Sequence, residues 1–227
     1  MDKPYINIHA HKLRQLPNEL VITSLFVQDL IHTELNDDAY YSIGLHPWHV
    51  NMVKLSEQFA NLERVTQLSN CYAIGETGLD RVCTTSFDLQ MEAFGFQAAL
   101  ADKIGKPLII HCVKAYSEML NFLKSRKSKT PCIFHGFAAN QTIADKLVGW
   151  GSYLSFGQVL FHGNSKLLDV FRKIPIAHIF LETDTSNYTI ASIYQKAASI
   201  RQMSVNELAI LIANNFINCF QSDKSMY

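Results

Sequence analysis

The chain has 227 residues, 48% apolar and 18% charged; this suits one globular domain of barrel or sandwich size, expected to span residues 1–227, and excludes a disordered or fibrous chain. Twenty Lys and Arg balance twenty Asp and Glu, which excludes a general electrostatic pull on a polyanion, so any nucleic-acid contact must be local.

Short apolar, β-rich runs recur along the chain, most of them followed by a segment of helical spacing. Strands are predicted at Tyr5–His9, Val21–Val27, Tyr40–Leu45, Cys71–Gly75, Pro107–Cys112, Cys132–His135, Tyr153–Phe156 and His178–Glu182. Runs such as Leu108-Ile109-Ile110 are continuously apolar, as parallel strands covered on both faces require. Amphipathic helices are predicted at Leu55–Leu68, Phe87–Ile104, Ala115–Ser125, Gln141–Trp150 and Ser165–Arg172. The stretches 12–20, with Pro17, and 29–38 are too short for full crossover helices, so the first two crossovers are expected to be degenerate. Ser204 with Glu207 forms a capping-box pattern ahead of an apolar helix at Leu208–Phe220, expected to close the fold. The alternation predicts a compact α/β TIM (β/α)8 barrel with an extra C-terminal helix; a doubly wound open sheet is the alternative.

The polar residues that interrupt the apolar strands carry the chemistry. His9, His11, Glu76, His111, His135 and Asp184 fall at the C-terminal ends of five predicted strands, where side chains face a barrel mouth. Singly, each reads as a hydrogen-bonded core histidine or a paired acid. Together, six ionisable groups at one end would cost several kcal/mol in desolvation and repulsion unless cations compensate them. Alternate residues on a strand point the same way, so both His9 and His11 can reach one ion. Four imidazoles and two carboxylates exceed one tetrahedral ion and suit a pair of divalent cations with a shared carboxylate and a bridging hydroxide.

The motifs His9-Ala10-His11, Gly44-Leu45-His46-Pro47, Ile74 to Asp80 (IGETGLD), Ile110-His111, His135-Gly136-Phe137 and Leu181-Glu182-Thr183-Asp184 resemble, in order, those of TatD-type metal-dependent deoxyribonucleases. The resemblance implies an amidohydrolase-like TIM barrel and phosphodiester hydrolysis, with DNA strand ends as substrate in a 3′-to-5′ exonuclease manner. It implies that Glu76 bridges the two ions, that His9, His11 and Asp184 complete one site, and that His111 and His135 complete the other. Asp184 would also orient or deprotonate the attacking water, and His46 would contact a substrate phosphate. The chain departs from the family pattern at Asn7, where aspartate is usual, and at Cys112-Val113-Lys114, where Ser-Arg-Asp is usual. It departs again after Asp184, where Thr185-Ser186-Asn187 replaces a longer loop. Lys114 or Arg81 could supply the positive charge lost with that arginine.

Zinc is the expected metal, with manganese, magnesium, iron and nickel as alternatives for such mixed ligands. Amide or ester hydrolysis of a small molecule and metal binding without turnover are the alternative functions. Five cysteines without a Cys-x-x-Cys pair suggest free thiols in a reducing compartment. The N-terminus has no signal-peptide pattern, no apolar run reaches the ~18 residues that span a bilayer, and no obligate protein partner is implied. A cytoplasmic location is expected. His32, His49, His162 and His178 are read as surface or structural. Trp48 reads equally as a base-stacking platform and as a packing residue, while Phe137, Phe156 and Phe161 lean toward the core.

Overall fold

The computed structural model describes residues 4–12, 18–31, 35–128 and 130–220. Pro17 and His32 lie outside them, as does part of each early crossover. The described part of the second crossover holds a 3-10 turn at Val27–Ile31.

Eight strands form a sheet in chain order: β1 (Tyr5–Ala10), β2 (Glu19–Phe26), β3 (Tyr40–Gly44), β4 (Cys71–Asp80), β5 (Leu108–Val113), β6 (Cys132–Phe134), β7 (Tyr153–Phe156) and β8 (Ile179–Leu181). The pairs β1–β2, β3–β4, β4–β5 and β7–β8 are parallel. Between and after the strands lie α1 (Leu55–Val65), α2 (Phe87–Ile104), α3 (Tyr116–Ser125), α4 (Gln141–Gly149), α5 (Val159–His162), α6 (Ser165–Lys173), α7 (Ile190–Arg201) and α8 (Val205–Phe220). This is the α/β-barrel class that the strand–helix alternation predicts.

Packing divides the chain into two compact units: Met1–Thr23 with Phe134–Tyr227, and Ser24–Ile133. In the first unit an isolated bridge between Ala10 and Asp184 joins the end of β1 to the segment after β8. Its core includes Ile6, Ile8, Phe156, Phe180 and Phe216, all fully buried. The hydroxyl of Tyr194 on α7 accepts from Ile6 N–H (3.0 Å) and donates to Ile6 O (3.1 Å), satisfying backbone groups of β1 that face the helix. Ser204 Oγ caps α8 by accepting from Glu207 N–H, as the sequence pattern predicts, and Asn215 Nδ2 on that helix donates to the carbonyls of Ile176 and Ile179.

In the second unit Leu108, Ile109 and Ile110 of β5 are all fully buried, in keeping with their unbroken apolar run. The predicted fourth strand is Cys71–Gly75. The strand instead continues to Asp80, with a register shift against β5 between Ile74 and Thr77. Gly78 shows why glycine belongs inside this strand: φ is +147°, and a Cβ there would sit 1.9 Å from His111 O. The close approach of β5, not a turn, selects the residue. At the opposite extreme, β6 and β8 are three residues each, shorter than predicted. No helix among the described residues is long and apolar enough to cross a membrane.

Candidate metal centre

In the first unit β1 delivers His9, and His11 follows two residues later. Asp184, three residues beyond β8, is held by its backbone: its N–H donates to His9 O (2.9 Å), and its carbonyl accepts from His11 N–H (3.4 Å). Its φ of +50° lies in the left-handed region, which aspartate tolerates better than most residues. Asp184 Oδ1 then lies 3.7 Å from His9 Nε2 and 3.6 Å from His11 Nε2. These separations are too long for hydrogen bonds between the pairs. They are close to the roughly 3.3–3.6 Å expected between two ligands each about 2.0–2.2 Å from a tetrahedral zinc. The three side chains offer ligand atoms all within 4.8 Å of one another. Their donor chemistry and spacing fit a divalent cation.

His135, directly after β6, brings its ring to 4.3 Å from that of His9, and its Nδ1 lies 3.8 Å from Oε1 of Glu182. Glu182, 1% exposed, also accepts from Gly136 N–H at 2.6 Å. Burial pushes this carboxyl up, but the His135 interaction and the nearby His9 charge outweigh it and hold the group below the usual carboxylate range. Glu182 is thus a buried anion facing His135; the sequence analysis quotes it within a motif and gives it no role.

In the second unit a different set assembles. His46 follows β3, Glu76 lies on β4 and His111 on β5. Gly44 permits the approach: a Cβ there would lie 2.6 Å from Glu76 O. Glu76 Oε1 is 3.1 Å from His46 Nε2 and 2.8 Å from His111 Nδ1, and the two rings are 4.6 Å apart. By proximity all three are possible ligands. His46 Nδ1, however, accepts from Trp48 N–H at 3.2 Å, which leaves the proton of a neutral ring on Nε2. Burial lowers the His46 pKa and so favours that neutral ring, with Glu76 opposing. Nε2–H is then a donor, toward Glu76 here or toward a substrate oxygen, and Glu76 with His111 is the better ligand pair.

Asp80, at the end of β4, belongs to the IGETGLD motif but carries no role in the sequence analysis. It is 3% exposed, and its Oδ2 lies 3.3 Å from His111 Nε2. Burial raises its carboxyl, but bonds from Trp48, Val82 and His111 bring it below the ordinary value. Arg81 is committed elsewhere, paired with Glu118 and lying 4.1 Å over the Phe87 ring. That leaves Lys114, exposed at the end of β5, as the better placed of the two cations suggested for a phosphate. The half-buried Cys112 thiol is pushed up to about 12 by burial, which makes it a poor nucleophile. His178 bonds the carbonyl of Ser152, a structural role. His162 bonds Tyr188.

The family profile described as TatD related DNase matches residues 21–221. The chain belongs to this family. Among TatD-type relatives, it is 28% identical over 218 residues to the uncharacterized metal-dependent hydrolase YcfH of Escherichia coli, covering 88% of this chain and 80% of YcfH. It is 28% identical over 202 residues to the uncharacterized metal-dependent hydrolase YabD of Bacillus subtilis, covering 82% and 78%. The crystal structure of the E. coli TatD homolog YjjV superposes with a TM-score of 0.81 at 21% identity, covering 96% of this chain and 98% of that one. A TatD family hydrolase from Entamoeba histolytica gives 0.75 at 18% identity, covering 97% and 99%. TatD family membership makes the chain a metal-dependent hydrolase, and its structural neighbours share the TIM-barrel fold.

Proposed function

We propose that this TatD family member hydrolyses phosphodiester bonds at DNA strand ends with two divalent cations, zinc in the purified protein. The convergence of His9, His11 and Asp184 at 3.6–3.7 Å supports the reading most directly. One cation would be held by these three residues. A second would be held by His111, with His135 as its further ligand from the sequence reading, and Glu76 would be the carboxylate common to both. Bound cations would lower the pKa of water and polarise the phosphoryl group. Asp184 would orient the attacking water and take its proton on a carboxylate oxygen, and His46 Nε2–H would donate to a phosphate oxygen. The five free cysteines suit a reducing compartment, and we place the protein in the cytoplasm.

The test is hydrolysis of an end-labelled single-stranded oligonucleotide by chelator-stripped protein reloaded with Zn²⁺, Mn²⁺ or Mg²⁺, with Glu76→Ala as control. Metal-dependent shortening from the 3′ end that the control lacks is the expected result. An intact oligonucleotide with two bound ions would move the substrate search to small esters and amides.

A further inference from the structure

In the second unit one large aromatic ring is both exposed and fixed. Trp48 is 60% exposed, yet its Nε1–H donates a 2.6 Å hydrogen bond to Oδ2 of the buried Asp80. The other oxygen of that carboxylate accepts from Val82 N–H at 2.7 Å, so the acceptor itself cannot swing. A bond to a carboxylate is short and strong. It holds the indole while most of the ring remains in water. A tryptophan retained for packing would bury that area, and a passive surface residue has no reason to be tied to a buried acid.

The tie runs toward the chemistry. The same Asp80 oxygen lies 3.3 Å from His111 Nε2, and the indole stands edge-on to His46 at 5.0 Å and 6.3 Å from His111. Trp48 N–H meanwhile sets the His46 tautomer. A planar group laid on the indole would therefore sit beside the two imidazoles that face the substrate and the metal. Just past Asp80, Val82 leaves apolar surface exposed on the segment that follows β4.

We infer that Trp48 is a stacking platform for the unpaired base of a nucleotide whose phosphate is offered to His46. This deepens the phosphodiester reading and rests on it. Every base has a π-face, so such a platform gives affinity without sequence preference, and it favours single strands, whose bases can leave the stack. Asp80 is a positioning residue for both Trp48 and His111, which ties base binding to the geometry of a ligand.

The test uses Trp150→Phe protein, which leaves Trp48 as the one tryptophan. It is titrated with thymidine 5′-monophosphate and with deoxyribose 5-phosphate, neither of which contains a diester, so the result does not depend on turnover. Thymidine monophosphate should quench the emission saturably and the sugar phosphate should not. By calorimetry, Trp48→Leu should bind the nucleotide about 5- to 150-fold more weakly, and Trp48→Phe, which keeps a ring but loses the bond to Asp80, should fall between. Equal nucleotide affinity in Trp48→Leu and parent, or equal quenching by the sugar phosphate, would overturn the inference. Nucleotide binding through Trp48 in a protein that cleaves no oligonucleotide would keep the platform and remove the nuclease reading; oligonucleotide cleavage with a parental KM in Trp48→Leu would do the reverse.

Discussion

Asn7 Nδ2 donates to Glu19 Oε1 at 2.7 Å, and the same amide donates to Thr183 Oγ1 (2.9 Å) and accepts from Thr183 N–H (2.9 Å). The position where the resemblance leads one to expect aspartate thus holds a neutral side chain that needs its N–H₂ group. A carboxylate there would face the carboxylate of Glu19. Asn7→Asp should lower stability by about 1–3 kcal/mol at neutral pH, and adding Glu19→Gln should restore most of it. Urea unfolding of the three variants measures this; an unchanged midpoint for Asn7→Asp would refute the assignment.

Glu19 also predicts a pH dependence. Burial raises its carboxyl above the ordinary 4.5, against the lowering effect of the Asn7 bond. A raised carboxyl favours the protonated form in the fold. Its contribution is fully present below the unfolded pKa and lost as pH rises through the folded value. Above pH 4.5 this group should therefore erode stability until it is fully ionised, and Glu19→Gln should flatten that part of the stability–pH curve.

Metal binding to the folded chain should stabilise it. At a free concentration one hundred times Kd the gain is about 2.7 kcal/mol per site. Asp184→Asn should shrink the zinc-induced rise in thermal midpoint, because amide oxygen is a weaker ligand than carboxylate, and chelator should return both proteins to similar midpoints. A full-sized zinc shift in Asp184→Asn would remove this residue from the ligand set.

Asp80→Asn keeps the size of the side chain but removes its charge from beside His111 and Trp48. Loss of such an orienting carboxylate typically costs about 10- to 100-fold in metal affinity or activity. Competition with a chelating dye reads the affinity directly. The sequence reading gave Asp80 no role, so unchanged metal affinity and activity in the variant would vindicate it.

Tyr194→Phe leaves both Ile6 N–H and Ile6 O without their side-chain partner in a fully buried position. The expected cost is about 1–3 kcal/mol in unfolding free energy. Zinc affinity should stay within a factor of two, since the change lies at the start of β1 and not at its metal-binding end.

Much of this protein is legible from its chain alone because the signals are local. The helix at Phe87–Ile104 and the strand at Tyr153–Phe156 are found where periodicity and caps place them. Polar residues at the ends of apolar strands mark His9, His11, Glu76, His111, His135 and Asp184 because burying such groups has no other cheap explanation. Tertiary structure alone decided the rest. Whether the strand stops at Gly75 or runs on depends on how closely β5 passes, and its continuation places Asp80 on β4 beside His111. Whether Asn7 is a lost charge or a needed donor depends on Glu19 and Thr183, the latter 176 residues away. The proton on His46 depends on the turn that folds Trp48 N–H onto its ring. Strand ends, read one at a time, reveal which residues are chemically expensive; only the packing of neighbouring strands determines which of them meet, and through which atoms.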